Sequence, residues 1–416
     1  MRTYVGVDWS ATEVACSTAF ADEPLRRIFG ANRSLESVEE LMGRVQRRDP
    51  DAKELHVIIE AGAPGWQELF HHAGGIVHVA DPKQAKSFAA SRCSSGAKDD
   101  GRDGDNLVEM GRSPLHCPKV WTPDSELHTQ LRELATFHES LTKSAGATQQ
   151  RLRALLRERF PTLEGELGDL KRRWVSVLLE AVPTPWHARG LTEARFHELM
   201  RGSRARATTR RRVFAAIQRG QAPWMTEGEA QVLALRVTML VEQLDLFVRQ
   251  LDEVEAQLDQ LTAGLIVRDQ LESVGGIGMK MAVRLLELAF EELPADRDQA
   301  ARLLGASPVF IGSGKTRSGK PKGKVIMRRA VNHRAKATAY LLGRLASQQL
   351  DWAGAMYGDA RQRGQTASTA YRRIARSLLR ILTAMVRTGE PYDNERYVAA
   401  LQAKGVRWAM ELDKAA

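Results

Sequence analysis

The sequence predicts an α/β domain followed by a long, mainly helical remainder. Three observations carry that prediction: short apolar runs alternating with a helix before residue 120, a 4-3 apolar rhythm beyond residue 124, and an uneven division of charge. The 416 residues are 43% hydrophobic and 27% charged. That is enough for two or three ordinary cores and unlike a disordered or collagen-like chain. Residues 1–120 carry 15 Lys/Arg against 18 Asp/Glu, a net −3, whereas the remainder holds the rest of the overall +10 as a net +13. An acidic first part and a basic second part suggest that the second holds a polyanion while the acids do something else, with metal binding the obvious task.

Residues 3–7 form a β-rich run that leads into Asp8, and residues 14–20 and 25–29 offer two further strands. A helix is expected over residues 34–46, with Ser34 as its N-cap. Residues 55–60 (LHVIIE) make a continuous apolar run of the buried parallel-strand type, again ending in an acid, and residues 76–80 make another strand. Strands alternating with helices read as α/β, and residues 114–123, bounded by prolines, read as the exit linker.

Beyond it, Leu127, Leu131, Leu134, His138, Leu141, Ala145, Thr148, Leu152 and Leu155 step by four and three with polar interruptions. A cleaner series runs from Leu233 through Val237, Leu240, Leu244, Phe247, Leu251, Val254, Leu258 and Leu261 to Leu265. This is either a coiled-coil seam or two long helices packed antiparallel within the chain. Between the two series, residues 201–219 hold seven arginines and no acid, a strip that either tracks phosphates or is a solvated loop. Residues 271–278 (LESVGGIG) ahead of a helical run at 282–288 have the shape of a helix-hairpin-helix. Its glycines, Gly276 and Gly278, let backbone N–H groups approach a phosphate.

Asp8 and Glu60 end predicted strands. In a parallel sheet of the ribonuclease-H type two such strands lie side by side, so their carboxylates converge. In the segment KDDGRDGD, Asp100 and Asp103 are three apart on one helical face, where uncompensated like charges repel. Asp99 with Asp103 is an alternative pair, and Gly101 and Gly104 each cost a helix about 1 kcal/mol. Four clustered oxygen ligands suit Mg²⁺, in a two-metal site of the kind that serves phosphoryl transfer. The ordinary fate of any single one of these acids is a solvated surface.

The sequence GSGKT at residues 312–316 resembles a P-loop, but Val309 stands where that motif needs its first glycine, and residues 317–321 (RSGKP) do not readily continue as a helix. Residues 315–336 carry nine Lys/Arg and no acid, which favours a nucleic-acid backbone over ATP. Lys315, Arg317, Lys320, Lys322, Lys324, Arg328 and Arg329 are the expected contacts, with Ser313 at the mouth of the stretch. Cys16, Cys93 and Cys117 are too few and too scattered for a disulfide framework or a Cys-only zinc site. No run of eighteen uncharged apolar residues and no signal-peptide pattern occurs, so a cytoplasmic protein is expected.

At this point the residues resemble the DEDD transposases of bacterial insertion sequences, the insertion-sequence one-ten family, also described as bridge recombinases. Gly6-Val7-Asp8 resembles the family's opening strand, residues 58–62 its second acid, and Asp81-Pro82 its Asn-Pro segment with Asp substituted. Lys98, Asp100 and Asp103 fit its Lys-x-Asp-x-x-Asp pattern. Residues 305–308 leading to Ser313-Gly314-Lys315, then residues 327–329 and Asn332, resemble its serine-bearing stretch. The resemblance implies a RuvC-like, ribonuclease-H-like α/β domain (1–120), a helical coiled-coil connector with the Arg-rich insertion (121–268), and a mainly α serine transposase domain with the helix-hairpin-helix (269–416). It implies Asp8, Glu60, Asp100 and Asp103 as Mg²⁺ ligands and Ser313 as nucleophile, cutting and rejoining donor and target DNA through a phosphoserine link. A noncoding bridge RNA would choose the sites, and the protein would act as a dimer or tetramer, nucleoid-associated in a bacterial cytoplasm. Residues 316–324 repeat Ser-Gly-Lys, so Ser318 competes with Ser313. The latter is preferred because the apolar run at 309–311 directly precedes it and offers a rigid anchor.

Two other functions compete with recombination. A RuvC-like junction nuclease would use the same acids with water as nucleophile and has no need of the serine-bearing domain. A catalytically silent nucleic-acid binder would gain nothing from acids that repel phosphates.

Overall fold

A computed structural model describes residues 2–19, 26–63, 65–92, 100–220, 225–288, 297–315, 321–327 and 331–412. The chain divides into two compact units, Met1–Ser125 and Glu126–Ala416.

The first unit runs β1 (Arg2–Trp9), β2 (Glu13–Ala19), β3 (Arg26–Asn32), α1 (Leu35–Arg48), β4 (Glu54–Glu60), α2 (Trp66–His72), β5 (Ile76–Ala80), α3 (Pro82–Arg92) and α4 (Asp100–Arg112). The sheet order is β3-β2-β1-β4-β5, with β1, β4 and β5 parallel and β2 and β3 antiparallel. Each predicted strand is present within a few residues. α1 starts where its cap dictates: the Ser34 side chain accepts a hydrogen bond from the Ser37 N–H at 3.2 Å.

Period-two alternation gives the sheet two faces. On one, Val5, Val7, Val57, Ile59 and Val77 pack against Val38, Leu41, Met42 and Val45 of α1 and Trp66 and Phe70 of α2. On the other, Ile58 and Ala80 meet Ala85 of α3 and Leu107 and Met110 of α4. Here the backbones almost touch. A Cβ on Gly6 would fall onto the Gly104 carbonyl oxygen, one on Gly104 would stand 2.7 Å from Ser17 Oγ, and one on Gly111 would stand 2.5 Å from Ile58 Cδ1. The exit segment is tied to the sheet by the Trp121 N–H, which donates to the Val77 carbonyl at 2.7 Å.

The second unit begins with α5 (Glu126–Arg159), α6 (Pro161–Leu167), α7 (Arg173–Ala181), α8 (Glu193–Leu199), α9 (Ala207–Arg219) and α10 (Glu227–Thr262). It continues with α11 (Ile266–Glu272), α12 (Met279–Leu286), α13 (Arg297–Leu303), β6 (Pro308–Lys315), β7 (Pro321–Met327), α14 (His333–Gln349), α15 (Asp351–Gln362), α16 (Ala367–Thr388), α17 (Asn394–Ala403) and α18 (Arg407–Met410). The two heptad-like series pair with each other. Leu131 and Leu141 share a cluster with Val254 and Leu258, while Ala145, Leu152 and Leu155 share one with Leu233, Val237, Val241 and Leu244. The pairing is therefore antiparallel and intramolecular. His138 Nε2 and Glu255 Oε1, 3.0 Å apart, bridge it. One core gathers α6–α9 around one end of this pair, and a second gathers α11–α18 around the other.

One expectation needs correction. The serine-bearing stretch is not a loop anchored by an apolar run but an antiparallel hairpin of β6 and β7 within the otherwise helical region. Successive strand residues point to opposite faces, and Phe310 and Ile311 are 51% and 52% exposed, so the run gives no buried anchor. No helix among the described residues is long and apolar enough to cross a membrane.

The Gly6–Gly104 contact yields a stability test. Gly6→Ala has backbone on the receiving side and should destabilise the first unit by about 2–3 kcal/mol. The melting temperature should drop by roughly 10 °C. By contrast Gly43→Ala in α1, whose Cβ would meet only the end of Arg47 at 3.6 Å, should stabilise by up to about 1 kcal/mol. Thermal unfolding of the two variants checks both signs.

Candidate active site

The parallel register pairs Val7 with Ile59, so Asp8 and Glu60 follow as neighbours at the ends of β1 and β4. Both share the face that Gly6 and Ile58 turn toward α4. That helix runs antiparallel to β1, because Gly111 lies over Tyr4 and Ile58 while Gly104 lies over Gly6. Its first turn therefore falls at the strand ends. Asp100 opens α4, and residues 100, 103, 104, 107, 108 and 111 form one stripe at helical spacing, of which Gly104, Leu107, Val108 and Gly111 are buried on the sheet.

The electrostatics report the convergence. Burial holds the half-buried Glu60 carboxyl above the usual carboxylate range, and the neighbouring Asp103, Asp8 and Asp81 raise it further. Two of the other three predicted acids, Asp8 and Asp103, thus act on Glu60. Asp100 belongs to α4 by its backbone, while Asp99 and Lys98 lie outside the described residues.

Asp81 was not singled out as a site acid in the sequence, although the Asp-Pro step after β5 marked its place. Its Oδ1 accepts from the N–H groups of Lys83 (2.9 Å) and Gln84 (3.2 Å), capping α3. Asp105, farther along α4, has its Oδ1 buried and without a hydrogen-bond partner among the described residues. The donor set is all carboxylate oxygen and mutually repelling, which fits a hard divalent cation such as Mg²⁺. No three His, Cys, Asp or Glu side chains among the described residues stand close enough to share an ion. The acids are near enough to repel one another without closing on one point.

Ser313 is carried by the second unit, exposed on β6. The ladder pairs Ile311 with Lys324 and Gly312 with Gly323, then shifts register before Lys315 meets Pro321. Ser313 and Gly314 occupy that irregularity, and Gly314 takes φ +79°, a conformation open to glycine at little cost. A bulge of this kind bends the strand and re-aims its side chain. Lys322 and Lys324 are exposed on β7. Lys315 is placed by its backbone alone, and Arg317, Ser318, Lys320, Arg328 and Arg329 lie outside the described residues.

The glycine-bearing turn of residues 273–278 joins α11 to α12. Gly276 has φ +89° and packs on the end of α14, where a Cβ would stand 3.2 Å from Gln349 Cβ. Its role in the structure is the turn itself. Gly278, the N-cap of α12, is exposed with open space around it.

Glu60 makes a prediction with a definite sign. Its folded-state pKa lies above the unfolded value, so the folded state binds the proton more tightly and stability falls as pH rises through the interval between the two. Above that interval the charged form is a constant cost. Glu60→Gln should therefore raise the melting temperature at neutral pH, with the gain vanishing below about pH 4, where the carboxyl is protonated in both states. Added Mg²⁺ should stabilise the wild type more than the variant. A scan of melting temperature against pH and Mg²⁺ reads both effects.

The chain is similar to known transposases and insertion-element proteins. Residues 5–161 match the model of the DEDD transposase family of the IS110 type, described as "Transposase". A putative transposase, y4uE, of Sinorhizobium fredii is 28% identical over 207 residues, covering 49% of this chain and 57% of that protein's length. The insertion element IS110 uncharacterized 43.6 kDa protein of Streptomyces coelicolor is 28% identical over 306 residues, 72% of this chain and 73% of that one. The mini-circle putative transposase for IS117 of the same species is 25% identical over 342 residues, 78% and 79% respectively. The matched segment begins in β1 and runs through every strand of the acid-bearing sheet, so this part of the chain is similar to the IS110-type DEDD transposases, and the longer matches are to proteins named for transposases or insertion elements.

Proposed function

We propose that this chain is a transposase that cuts and rejoins DNA by phosphoryl transfer, with Asp8, Glu60, Asp100 and Asp103 as the Mg²⁺-holding acids and Ser313 as the nucleophile. The observation that carries the reading is the place of Asp8 and Glu60 at the neighbouring ends of two parallel strands, with Asp103 and Asp8 adding to the rise that burial causes in the Glu60 pKa. The sheet order, with an antiparallel pair of strands beside three parallel ones, supports a RuvC-like, ribonuclease-H-like domain. In this reading residues 1–120 bear the acids, 121–268 connect, and 269–416 bear the serine.

Ser313 Oγ forms a bond to phosphorus while the bond from phosphorus to the leaving sugar oxygen breaks. The serine proton passes to solvent or a nearby base, and the leaving oxygen takes one up. Because a phosphodiester replaces a phosphodiester, rejoining needs no ATP. Bound Mg²⁺ would stabilise negative charge on the attacking and leaving oxygens. Lys322 and Lys324, across the hairpin from the serine strand, hold DNA phosphates near it, and Gly278 leaves room for a backbone at the α12 N-terminus. A noncoding bridge RNA selects donor and target DNA at the nucleoid. The chain works as a homo-oligomer, since two DNA segments need several active sites. Val232, Leu235, Met239 and Leu246, exposed along α10 with 232, 239 and 246 at heptad steps, support contact with a second copy.

The test traps the protein on a DNA whose cleaved strand cannot religate. A covalent adduct is expected from the wild type and from Ser318→Ala, and none from Ser313→Ala; Asp8→Ala should bind DNA yet give no cleavage. An adduct lost in Ser318→Ala but kept in Ser313→Ala would move the nucleophile. Cleavage with no adduct in the wild type would make water the nucleophile. Separately, Lys322→Ala with Lys324→Ala should lower the log–log salt slope of duplex binding by about 0.9 per lost contact, measured by titration at several salt concentrations.

A further inference from the structure

The Arg-rich segment between the two long helices runs from the exposed coil at 201–206 into α9. It forms one wall of a cleft of about 960 Å³ in the second unit, with the start of α7 as the other wall. Five arginines line the cleft, namely Arg172, Arg173, Arg201, Arg204 and Arg206, and no acid does. Arg173 is paired with Asp245 at 2.8 Å. The side chains of the other four have no partner among the described residues.

Two further features point to a ligand. Trp174, only 7% exposed, lines the cleft with its indole Nε1 buried and unbonded, and the Ser203 hydroxyl beside it is likewise buried without a partner. A buried donor left unbonded costs about 1–3 kcal/mol, so an acceptor is missing. The same cleft receives two helix N-termini. Arg172 is the N-cap of α7 and Arg206 that of α9; neither helix has a side-chain cap or an acid in its first turn. Arginines at the positive ends of two helix dipoles repel those ends unless an anion lies between.

The geometry points to a phosphodiester-binding cleft, in which Arg201, Arg204, Arg206 and Arg172 hold the backbone phosphates of a nucleic acid and Trp174 Nε1 and Ser203 donate to the phosphate oxygens. Guanidinium forks match phosphate oxygens two at a time. The volume is at the upper end of what small ligands occupy, enough for several linked phosphates rather than one. The ligand chemistry is the same for RNA and DNA, and the test separates them.

Fluorescence anisotropy of the full chain with a labelled single strand of about twenty nucleotides, as RNA and as DNA of the same sequence, reads the site without Mg²⁺ or cleavage. Failure of the acid or serine assignment therefore leaves this result untouched. Replacing Arg201, Arg204 and Arg206 together by Gln should weaken binding at least about tenfold and lower the log–log salt slope by about two, at ~0.7 per contact. Trp174→Phe should weaken binding with the slope unchanged, because it removes a donor and no charge. The strand that loses more affinity in the triple variant names the source, RNA or DNA. An unchanged slope in the triple variant would overturn the proposal, as would polyglutamate competing as well as the oligonucleotide, or inorganic phosphate raising the melting temperature as much as the oligonucleotide does. Should the triple variant fail to fold, ultraviolet cross-linking of the wild type decides. Adducts on peptides spanning residues 199–209 are expected, and their absence would overturn the assignment.

Discussion

The contact between α4 and β1 sets what the first unit can do. An ordinary helix stands off a sheet by the length of its side chains, whereas α4 comes down onto the backbone because Gly6 and Gly104 leave nothing between them. That approach brings the first turn of α4 to the ends of β1 and β4. Asp103 thereby reaches the field of Glu60. The positive end of the helix dipole lies at the same turn and offsets part of the repulsion among the acids. Burial first and the neighbouring acids second raise the Glu60 pKa, a cost that stability alone would not select.

Charge in the second unit is organised in the opposite sense. Where acids and bases coexist they pair, as Arg334 does with Glu287 at 2.8 Å and Arg268 with Asp259 at 2.5 Å. Those pairs pin helices. The cleft arginines are different, since four of them face a space that contains no carboxylate and two sit at helix ends whose dipoles disfavour them. Unpaired cations at an unfavourable position are better explained by a missing anion than by solvation alone.

Much of this was legible in the sequence. The strands, the Ser34 cap and the strand-end acids follow from local rules of period and capping, and each appears where expected. The identity of the heptad series' partner did not follow, because a 4-3 rhythm specifies a seam and not whose helix fills it. The β6–β7 hairpin was missed for a related reason. Its strands are broken by Gly312, Gly314 and Gly323 and loaded with lysine, so neither alternation nor β propensity stood out. The cleft was legible only as composition. Its walls come from segments some thirty residues apart, and no one-dimensional pattern brings Arg172 to Arg206.

The glycines of α4 show how a local rule misleads at such a site. By propensity, Gly101 and Gly104 each cost the helix about 1 kcal/mol, and on that scale they count against placing Asp100 and Asp103 together on it. In the fold the sign reverses for Gly104. It is buried in the sheet-facing stripe, and a larger residue there would push against Ser17 of β2 and lift the helix from the sheet, carrying Asp103 with it. The propensity loss is thus the condition for bringing a carboxylate from a distant segment to two strand ends. A sequence that breaks a helix rule beside a cluster of acids is better read as having traded local stability for that approach than as lacking the helix.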